Sequence, residues 1–378
     1  MGVLAEKFFN YVGAVEGLTF SLGLNDQGLA LWDRTHLTPG SKYLKFAQNF
    51  QVKGSQKFWK YQDAQALASM SWNIPPEMLG TLNGSWDEAL FKSMGVSDAV
   101  LNEYLGAEKT LLKATGPRGA LNLDLEVNPE VFRQAISVNP PNLKAIANAF
   151  NIRVTGVQEV ANGEAYKKAL RNIYASSILP ELMDALGRSP ENDVSFGVRM
   201  AEDLKESGLV YDRAQIWARL ANPSSNPVTK KINQLISGIL DNLPIYLHYT
   251  PSRMYFTTGK EGLADLASLV QKDAVPHNWT SSPIIAGWGS LIPDRSLLVG
   301  GISLNKILQV VKEAGIPEFA DLPAVEAYPD LIGELSPTPS GNWETATLLS
   351  LSGDKPLINF FSQKLAKPRT QEAPNQVP

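Results

Sequence analysis

The residues that could do chemistry are few and far apart in the sequence. The chain contains three histidines, His36, His248 and His277, and no cysteine. A metal centre needs several ligands at workable spacing, and the sequence has no His-Glu-x-x-His motif and no calcium-loop motif. The lack of cysteine also excludes disulfides, thiolate nucleophiles and iron–sulfur clusters. We therefore expect no metal site and no cofactor, and we interpret the histidines as ordinary strand or surface residues.

Acidic residues give two further patterns to weigh. Asp124 and Glu126 share the polar face of a predicted strand, which we interpret as its solvated side. An aromatic-Asp-Arg triplet closes two hairpins, as Trp32-Asp33-Arg34 and as Tyr211-Asp212-Arg213. We interpret each triplet as a strand end with an exposed ion pair; the alternative is a recurring contact between repeats or with a partner. No nucleophile elbow and no complete phosphate-binding loop occurs in the sequence, so no catalytic or cofactor-binding residue is assigned.

Length and composition describe a folded protein of two units. A chain of 378 residues exceeds what one hydrophobic core usually supports. The formal charge of -4 and the sequence pI near 5.6 argue against nucleic acid as a partner. No window approaches the roughly 20 apolar residues that cross a bilayer, so we expect no membrane span. No signal peptide is visible, which leaves a cytoplasmic protein or an exported one whose signal has been removed.

Residues 17–32 show a clear strand pattern, with which the rest of the chain can be compared. Every second residue from Leu18 to Leu24 is Leu or Phe, and the residues between them are polar or glycine. Only a period of two gives this pattern, so it predicts a strand with one buried and one solvated face. Turn residues follow at 25–28, and Leu29–Trp32 returns as a second strand. We expect the apolar face of this hairpin to lie in the core.

The same pattern recurs 176 residues later. Val194–Met200 alternates as Leu18–Leu24 does, with Phe196 at the position of Phe20, and the turn that follows, Ala201–Ser207, is longer. The same offset matches four further pairs: Leu67 with Leu243, Pro75 with Pro251, Leu90 with Leu266, and Leu121 with Leu297. Around the last pair both copies are predicted to run from a strand into a helix, over 120–127 and 129–136 and over 296–303 and 305–314. Further helices are predicted over 3–12, 86–94, 179–188 and 230–240. We interpret this as an internal duplication; the alternative is a chance likeness between two α+β patterns. The longer turn is where a site is to be sought first.

The predicted fold is α+β, with two tandem, similar units, each a mainly antiparallel sheet covered by helices. Unit 1 covers residues 1–176, unit 2 covers residues 177–360, and residues 361–378 form a mostly disordered tail. Unit 1 is expected to close with a strand over Ile152–Val160 and a tight turn at Asn162-Gly163.

Three stretches carry a resemblance to a known group of proteins: Gly17 to Trp32, Ser195 to Arg213, and Leu243 to Leu266. Together they resemble a family of uncharacterised bacterial proteins, mostly exported or envelope-associated, that are built from duplicated α+β units. The resemblance implies the duplicated fold and a location in the periplasm or cell envelope. It implies no catalytic residue.

Three functions remain open from the sequence. The leading hypothesis is a non-enzymatic binding or scaffold protein whose half-buried sheets enclose an apolar groove for a lipid, peptide or protein partner. The second is a hydrolase with a site assembled between the units from Asp33, His36, Asp212 or His248. The third is a structural module of a larger assembly, which would show a large exposed apolar patch without a pocket.

Overall fold

The computed structural model describes residues 12–25, 28–49, 52–76, 78, 91–93, 95–138, 141–175, 180–181, 194–220, 243–272, 279, 288–316, 319–323, 330–350, 359–360 and 362. The predicted helices over 3–12, 86–94, 179–188 and 230–240 lie wholly or mostly outside these residues. The predicted boundary at 176/177 also lies outside them, as does the predicted tail, 361–378, apart from residue 362.

The described residues form twelve strands and seven α-helices, which confirms the α+β class. The strands are β1 (Val15–Asn25), β2 (Gly28–Leu37), β3 (Ala68–Asn73), β4 (Thr115–Val127), β5 (Phe150–Val160), β6 (Val194–Glu206), β7 (Leu209–Leu220), β8 (Pro244–Tyr249), β9 (Arg253–Thr258), β10 (Leu298–Ile302), β11 (Leu331–Pro337) and β12 (Trp343–Ser350). The α-helices are α1 (Lys42–Asn49), α2 (Asp98–Ala114), α3 (Pro129–Ser137), α4 (Leu143–Ala149), α5 (Gly163–Ala175), α6 (Gly262–Lys272) and α7 (Leu304–Glu313). Two 3₁₀ helices cover Ser55–Tyr61 and Gly289–Leu291.

All twelve strands belong to one antiparallel sheet, in the order β1-β2-β12-β11-β10-β3-β4-β5-β9-β8-β7-β6. The sequence predicted one sheet for each unit, and the difference lies in three pairings. Strand β12 hydrogen-bonds to β2, β10 hydrogen-bonds to β3, and β9 hydrogen-bonds to β5, so groups of strands from the two predicted units alternate within the sheet. Each of these pairings satisfies backbone groups that would otherwise lie at an open sheet edge. Within the described residues, only the outer sides of β1 and β6 remain edges.

The two predicted strand–helix units, β4 with α3 and β10 with α7, are present in the structure. In both units the helix begins for the same local reason. In each, an Asn or Ser side chain caps the helix that follows the strand. The Asn128 side chain accepts a hydrogen bond from the Val131 amide at 3.1 Å and begins α3, with Pro129 in the first turn. The Ser303 hydroxyl accepts from the Lys306 amide at 3.1 Å and begins α7.

The turn predicted at Asn162-Gly163 is wrong, because these residues begin a helix. The Asn162 side chain accepts a hydrogen bond from the Ala165 amide at 3.0 Å and caps α5. Gly163 is buried, and a Cβ there would overlap the Thr250 carbonyl oxygen. Asn and Gly therefore serve here as a helix cap and a close backbone approach, which their types alone do not distinguish from a hairpin turn.

One side of the sheet, which we call the covered face, packs under the 3₁₀ helix Ser55–Tyr61, α6 and two tryptophans. Its first cluster comprises Ala30, Trp59, Ala64, Trp279, Trp288, Ile292, Val299, Ile332 and Leu348. Its second cluster comprises Phe58, Tyr61, Ala120, Val157, Leu209, Tyr211, Tyr255, Leu266 and Leu269. The two clusters run from β2 to β7 and form the main core of the described residues.

The opposite side of the sheet is covered at the β6–β9 end by α2 and α5. Tyr166 of α5 and Ala114 of α2 pack there on Leu247 and Met254, with Met200 of β6 partly buried against them. At the β1–β2 end the same side is exposed, which contradicts the prediction that the apolar face of this hairpin is core. The alternation of side chains was predicted correctly, whereas the face that is buried was not.

Cross-strand pairs of glycine and an aromatic residue recur along the sheet. Gly119 pairs with Trp72, Gly156 with Phe256, and Gly197 with Trp217. A Cβ added at any of these glycines would overlap the facing ring. Each ring therefore lies over its glycine and fills the space that a side chain would occupy.

We expect Gly156→Ala to destabilise the protein by about 1 to 3 kcal/mol, because the added methyl group must displace the Phe256 ring from a packed position. The matched control is Gly333→Ala in β11, where a Cβ would meet nothing within 4 Å. The control should leave the free energy of unfolding unchanged or raise it slightly. Urea unfolding of both variants tests this, and equal effects would contradict the packing role of Gly156.

Candidate binding surface

The residues proposed for a hydrolase site do not converge. Asp33 and His36 lie on β2, whereas Asp212 lies on β7 and His248 on β8. Strands β2 and β7 are nine strand spacings apart in the sheet, roughly 40 Å along it. The two pairs cannot act on one substrate, and the prediction of a site built from them is wrong. His277 lies outside the described residues.

Asp212 is a buried anchor for α5 and does not form the exposed ion pair predicted for its triplet. Its side chain is 1% exposed and accepts two hydrogen bonds from Arg171 of α5, at 2.8 and 2.6 Å. The Asp203 amide donates a third, at 3.0 Å. Bidentate contact with a guanidinium is a strong form of ion pair, and it fixes α5 against the β6–β7 hairpin.

The longer turn predicted at Ala201–Ser207 binds the same helix. The β6 strand bulges between Ala201 and Leu204, and Asp203 adopts a positive φ there. Asp203 lies 2.9 Å from Arg171 and 2.7 Å from Lys167. Hydrogen bonds from these two cations, Arg171 first, lower the pKa of Asp203 to about 2. This turn therefore holds an internal helix.

The remaining predicted residues make local contacts. Asp33 accepts a hydrogen bond from the Thr345 hydroxyl of β12. His36 Nε2 lies 2.8 Å from the Thr19 hydroxyl, and His248 Nδ1 lies 2.8 Å from the Val210 carbonyl oxygen. The neighbour of Asp33 in its triplet, Arg34, pairs with Glu344 at 2.6 Å. In neither triplet, therefore, do the described contacts pair the Asp with the adjacent Arg.

The feature that distinguishes the β1–β2 end is an exposed apolar surface. We call it the leucine face, and it comprises Leu18, Phe20, Leu22, Leu24, Leu29 and Leu31. The four side chains of β1 are 56% to 74% exposed, and their exposure increases from Leu18 towards the hairpin turn. Four consecutive outward-facing apolar residues on an edge strand are unusual in a soluble fold, because edges normally carry charges or proline.

The leucine face is continuous with the neighbouring strand and almost uncharged. Thr345, Thr347 and Leu349 of β12 extend it beyond β2. Asp33, which pairs with Phe20 across the hairpin, is the one charged residue on this side among residues 18–24 of β1, 29–35 of β2 and 345–349 of β12. Exposed apolar patches of this kind mark interaction sites, and a carboxylate within one would require a cation or hydrogen-bond donor from whatever covers it.

A second cluster, of charged residues, lines a cavity of about 80 Å³ on the covered face. Asp124 is buried there and lies 3.1 Å from Arg153 of β5 and 3.5 Å from Lys306 of α7. The prediction that Asp124 lies on a solvated side is therefore wrong, whereas Glu126 is exposed as predicted. Burial of the covered face under α6 and α7 explains the difference.

The same cluster joins four elements and has little room for a ligand. Arg153 also lies 3.5 Å from Asp265 of α6. Burial raises the pKa of Asp265, and the charge of Arg153 opposes this. The cavity has room for only a few water molecules and is far smaller than the hundreds of cubic ångströms of a typical ligand site. We therefore interpret the cluster as an internal ion-pair network.

Two further findings concern metals and membranes. Within the part of the chain that the structure describes, His, Asp and Glu residues form no group of three or more that could hold a metal ion. Of the described helices, none is long and apolar enough to cross a membrane.

Comparison with known proteins does not assign the chain to a family. No protein-family model, no curated protein and no solved structure matches this chain. The resemblance to exported bacterial proteins therefore stays an expectation. The function has to be inferred from the surface of the protein itself.

At the β6–β9 end, α5 covers the side of the sheet that corresponds to the leucine face, and three tyrosines lie at that contact, two on the helix and one on β8. Burial, with a smaller contribution from Tyr174, raises the pKa of Tyr166 to about 12. Burial also raises the pKa of Tyr174 and of Tyr249. The rings of Tyr166 and Tyr174 on α5 and of Tyr249 on β8 form one cluster with Met254.

Alkaline unfolding tests this burial. A pKa raised in the folded state gives stability that is full below the ordinary tyrosine pKa near 10 and is lost as the pH rises towards 12. We expect Tyr166→Phe to remove this loss, so that relative to pH 8 the variant retains about 2 kcal/mol more than the parent at pH 12. Urea unfolding at several pH values measures both curves. Parallel curves would contradict burial of the Tyr166 hydroxyl under α5.

Proposed function

We propose that the protein is a non-enzymatic binding or scaffold protein and that it binds a protein partner through the leucine face. The single observation that carries this proposal is the exposure of Leu18, Phe20, Leu22 and Leu24 on one side of β1. Burying one such side chain fully contributes roughly 1.5 to 3 kcal/mol. A partner that covers four of them gains enough to offset a substantial part of the entropy lost on association.

The shape of the surface supports a protein partner over a lipid in a groove. The leading sequence hypothesis placed the ligand between two sheets, whereas the described strands form one. The leucine face is open to solvent, whereas sites for small apolar ligands are concave and enclose most of the ligand surface. An open apolar patch without a pocket is the feature expected of a module within a larger assembly.

The order of the strands supports the duplication as part of the same proposal. One hairpin, β1–β2, ends the sheet on one side, and the other, β6–β7, ends it on the opposite side. These are the two segments that the 176-residue offset aligns. We infer that both descend from one ancestral hairpin, and that the β6–β7 copy binds an internal helix while the β1–β2 copy binds a partner. On the resemblance alone, we place this partner in the bacterial envelope.

Site-specific photo-cross-linking tests the proposed function. A benzoylphenylalanine at position 22 is expected to give one discrete protein adduct in the source cells. The same photoreactive residue at position 136 on α3, where Ile136 is 46% exposed, is the matched control and should give none. The purified adduct protein should bind the parent chain directly, and Phe20→Lys should weaken that binding at least tenfold.

Two results would overturn the binding function. The first is the absence of a discrete protein adduct at position 22. The second is binding of the purified adduct protein that is the same for the parent and for Phe20→Lys. Circular dichroism and urea unfolding of Phe20→Lys show whether the variant is folded, and the exposure of Phe20 predicts that it is.

A further inference from the structure

The β6–β7 end of the sheet shows what kind of element covers such a hairpin in this protein. Helix α5 lies there on the same side of the sheet as the leucine face, with Tyr166, Leu170 and Tyr174 packed against the strands. On β6, Met200 contacts this cluster from the position that pairs with Ala214. An amphipathic helix therefore packs on Met200 of this hairpin and on the apolar side of the neighbouring strands β8 and β9.

A charged pair fixes where that helix lies. Arg171 lies one residue beyond Leu170 and reaches Asp212 on β7 at 2.6 Å. Asp212 is four residues beyond the turn glycine Gly208, and its side chain lies on the side of the sheet that α5 covers. The helix therefore contributes both an apolar stripe and a guanidinium to the hairpin.

The leucine face presents the same two features without a described element over it. Asp33 is five residues beyond the turn glycine Gly28 and lies on the second strand of its hairpin, as Asp212 does. It shares the leucine face with its cross-strand neighbour Phe20. The charge is a carboxylate in both hairpins. Phe20 of the first strand lies beside Asp33, and Met200 of the first strand packs against the helix that Asp212 binds.

We propose that the occupant of the leucine face is an amphipathic helix of a partner protein. Its apolar stripe lies on Leu18, Phe20, Leu22 and Leu24, and one Arg or Lys on that stripe pairs with Asp33. This inference rests on the proposed function, because it names the chemical class of the partner that binds the same surface. It takes the α5–Asp212 contact as the template for the missing contact.

The other kinds of occupant fit the surface less well. A strand added at the β1 edge would lie in the plane of the sheet, and side chains that stand perpendicular to the sheet would stay exposed. A second copy paired edge to edge about a two-fold axis normal to the sheet would leave both leucine faces exposed on one side. A second copy stacked face to face would bury Asp33 against apolar side chains or a second Asp33, without a compensating cation.

The probe for this proposal is α5 itself, as a free peptide of residues 163–175 with a lactam bridge between Glu164 and Lys168. These two side chains are exposed and one helical turn apart, so the bridge holds the helix and leaves the binding stripe free. Fluorescence anisotropy with the full-length protein is expected to show saturable binding. Phe20→Lys should weaken it at least tenfold, and Ile136→Lys, the matched control, should not change it.

Exchange of the two charges between the protein and the peptide tests the contact with Asp33. Asp33→Asn keeps the acceptor for Thr345 and should weaken binding about threefold to tenfold. The peptide change Arg171→Glu should weaken binding similarly, and Asp33→Lys in the protein should restore the binding of that changed peptide. Photo-cross-linking from position 22, and not from position 136, locates the peptide on the leucine face and excludes exchange with its native site.

Each outcome decides for or against the helix. Binding that is lost with Phe20→Lys and recovered by the charge exchange supports it. The absence of peptide binding overturns it. Peptide binding that is unchanged by the substitutions at Phe20 and Asp33 overturns it as well. A dimer in sedimentation that Phe20→Lys dissociates assigns the face to a second copy and also overturns it. If the peptide fails while position 22 still gives its protein adduct in cells, the helix is wrong and the binding function stands.

Discussion

The structure depends on three backbone pairings, β2 with β12, β3 with β10 and β5 with β9, because they make one sheet out of strands far apart in the sequence. Residues 28–35 hydrogen-bond to residues 343–350, residues 68–72 to residues 298–302, and residues 155–159 to residues 253–257. The pairing fixes which side chains face the same way across all twelve strands. The covered face, the leucine face and the position of Asp33 all follow from that register.

The sheet also constrains what can cover each face. Tryptophan, a 3₁₀ helix and α6 fill the covered face, and the internal ion pairs of Arg153 with Asp124 and Asp265 join that layer to β4 and β5. On the other face, α5 is attached to the β6–β7 hairpin by Arg171 and Asp212. A buried carboxylate with one partner removed would be costly, so Asp212 requires that α5 stay in place. The charge thereby determines the position of a helix whose apolar contacts alone are less directional.

The sequence predicts local structure well, because the period of the side chains is a local property. The alternation from Leu18 to Leu24, the strand before α3 and the strand before α7 are all present in the structure. The covered side of a strand is a tertiary property, and for β1 the apolar side is the exposed one. Asp124 shows the converse, since a polar residue on an alternating strand is buried once Arg153 and Lys306 supply its charge partners. Asn162 shows that one residue type suits a turn and a helix cap equally, and only the following residues and the packing decide between them.

The sequence identifies the residues of the leucine face as the apolar side of a hairpin but predicts the wrong environment for them. The pattern predicts core because an alternating apolar strand usually has its apolar side buried within its own chain. Two signals in the sequence argue that this strand differs from its β6 counterpart. The β1 strand carries four large apolar residues in a row on one side and no charged residue between Gly17 and Asn25, whereas β6 carries Arg199, Glu202 and Asp203 near its turn. Charges on an edge strand oppose association and also fix an internal helix, so their absence from β1 leaves a surface that neither repels a partner nor positions a helix of this chain among the described residues. The burial that stabilises β6 comes from within the chain, whereas no described element of the chain covers the apolar side of β1. This difference between the two hairpins is the physical basis of our proposal that the β1–β2 hairpin binds a partner.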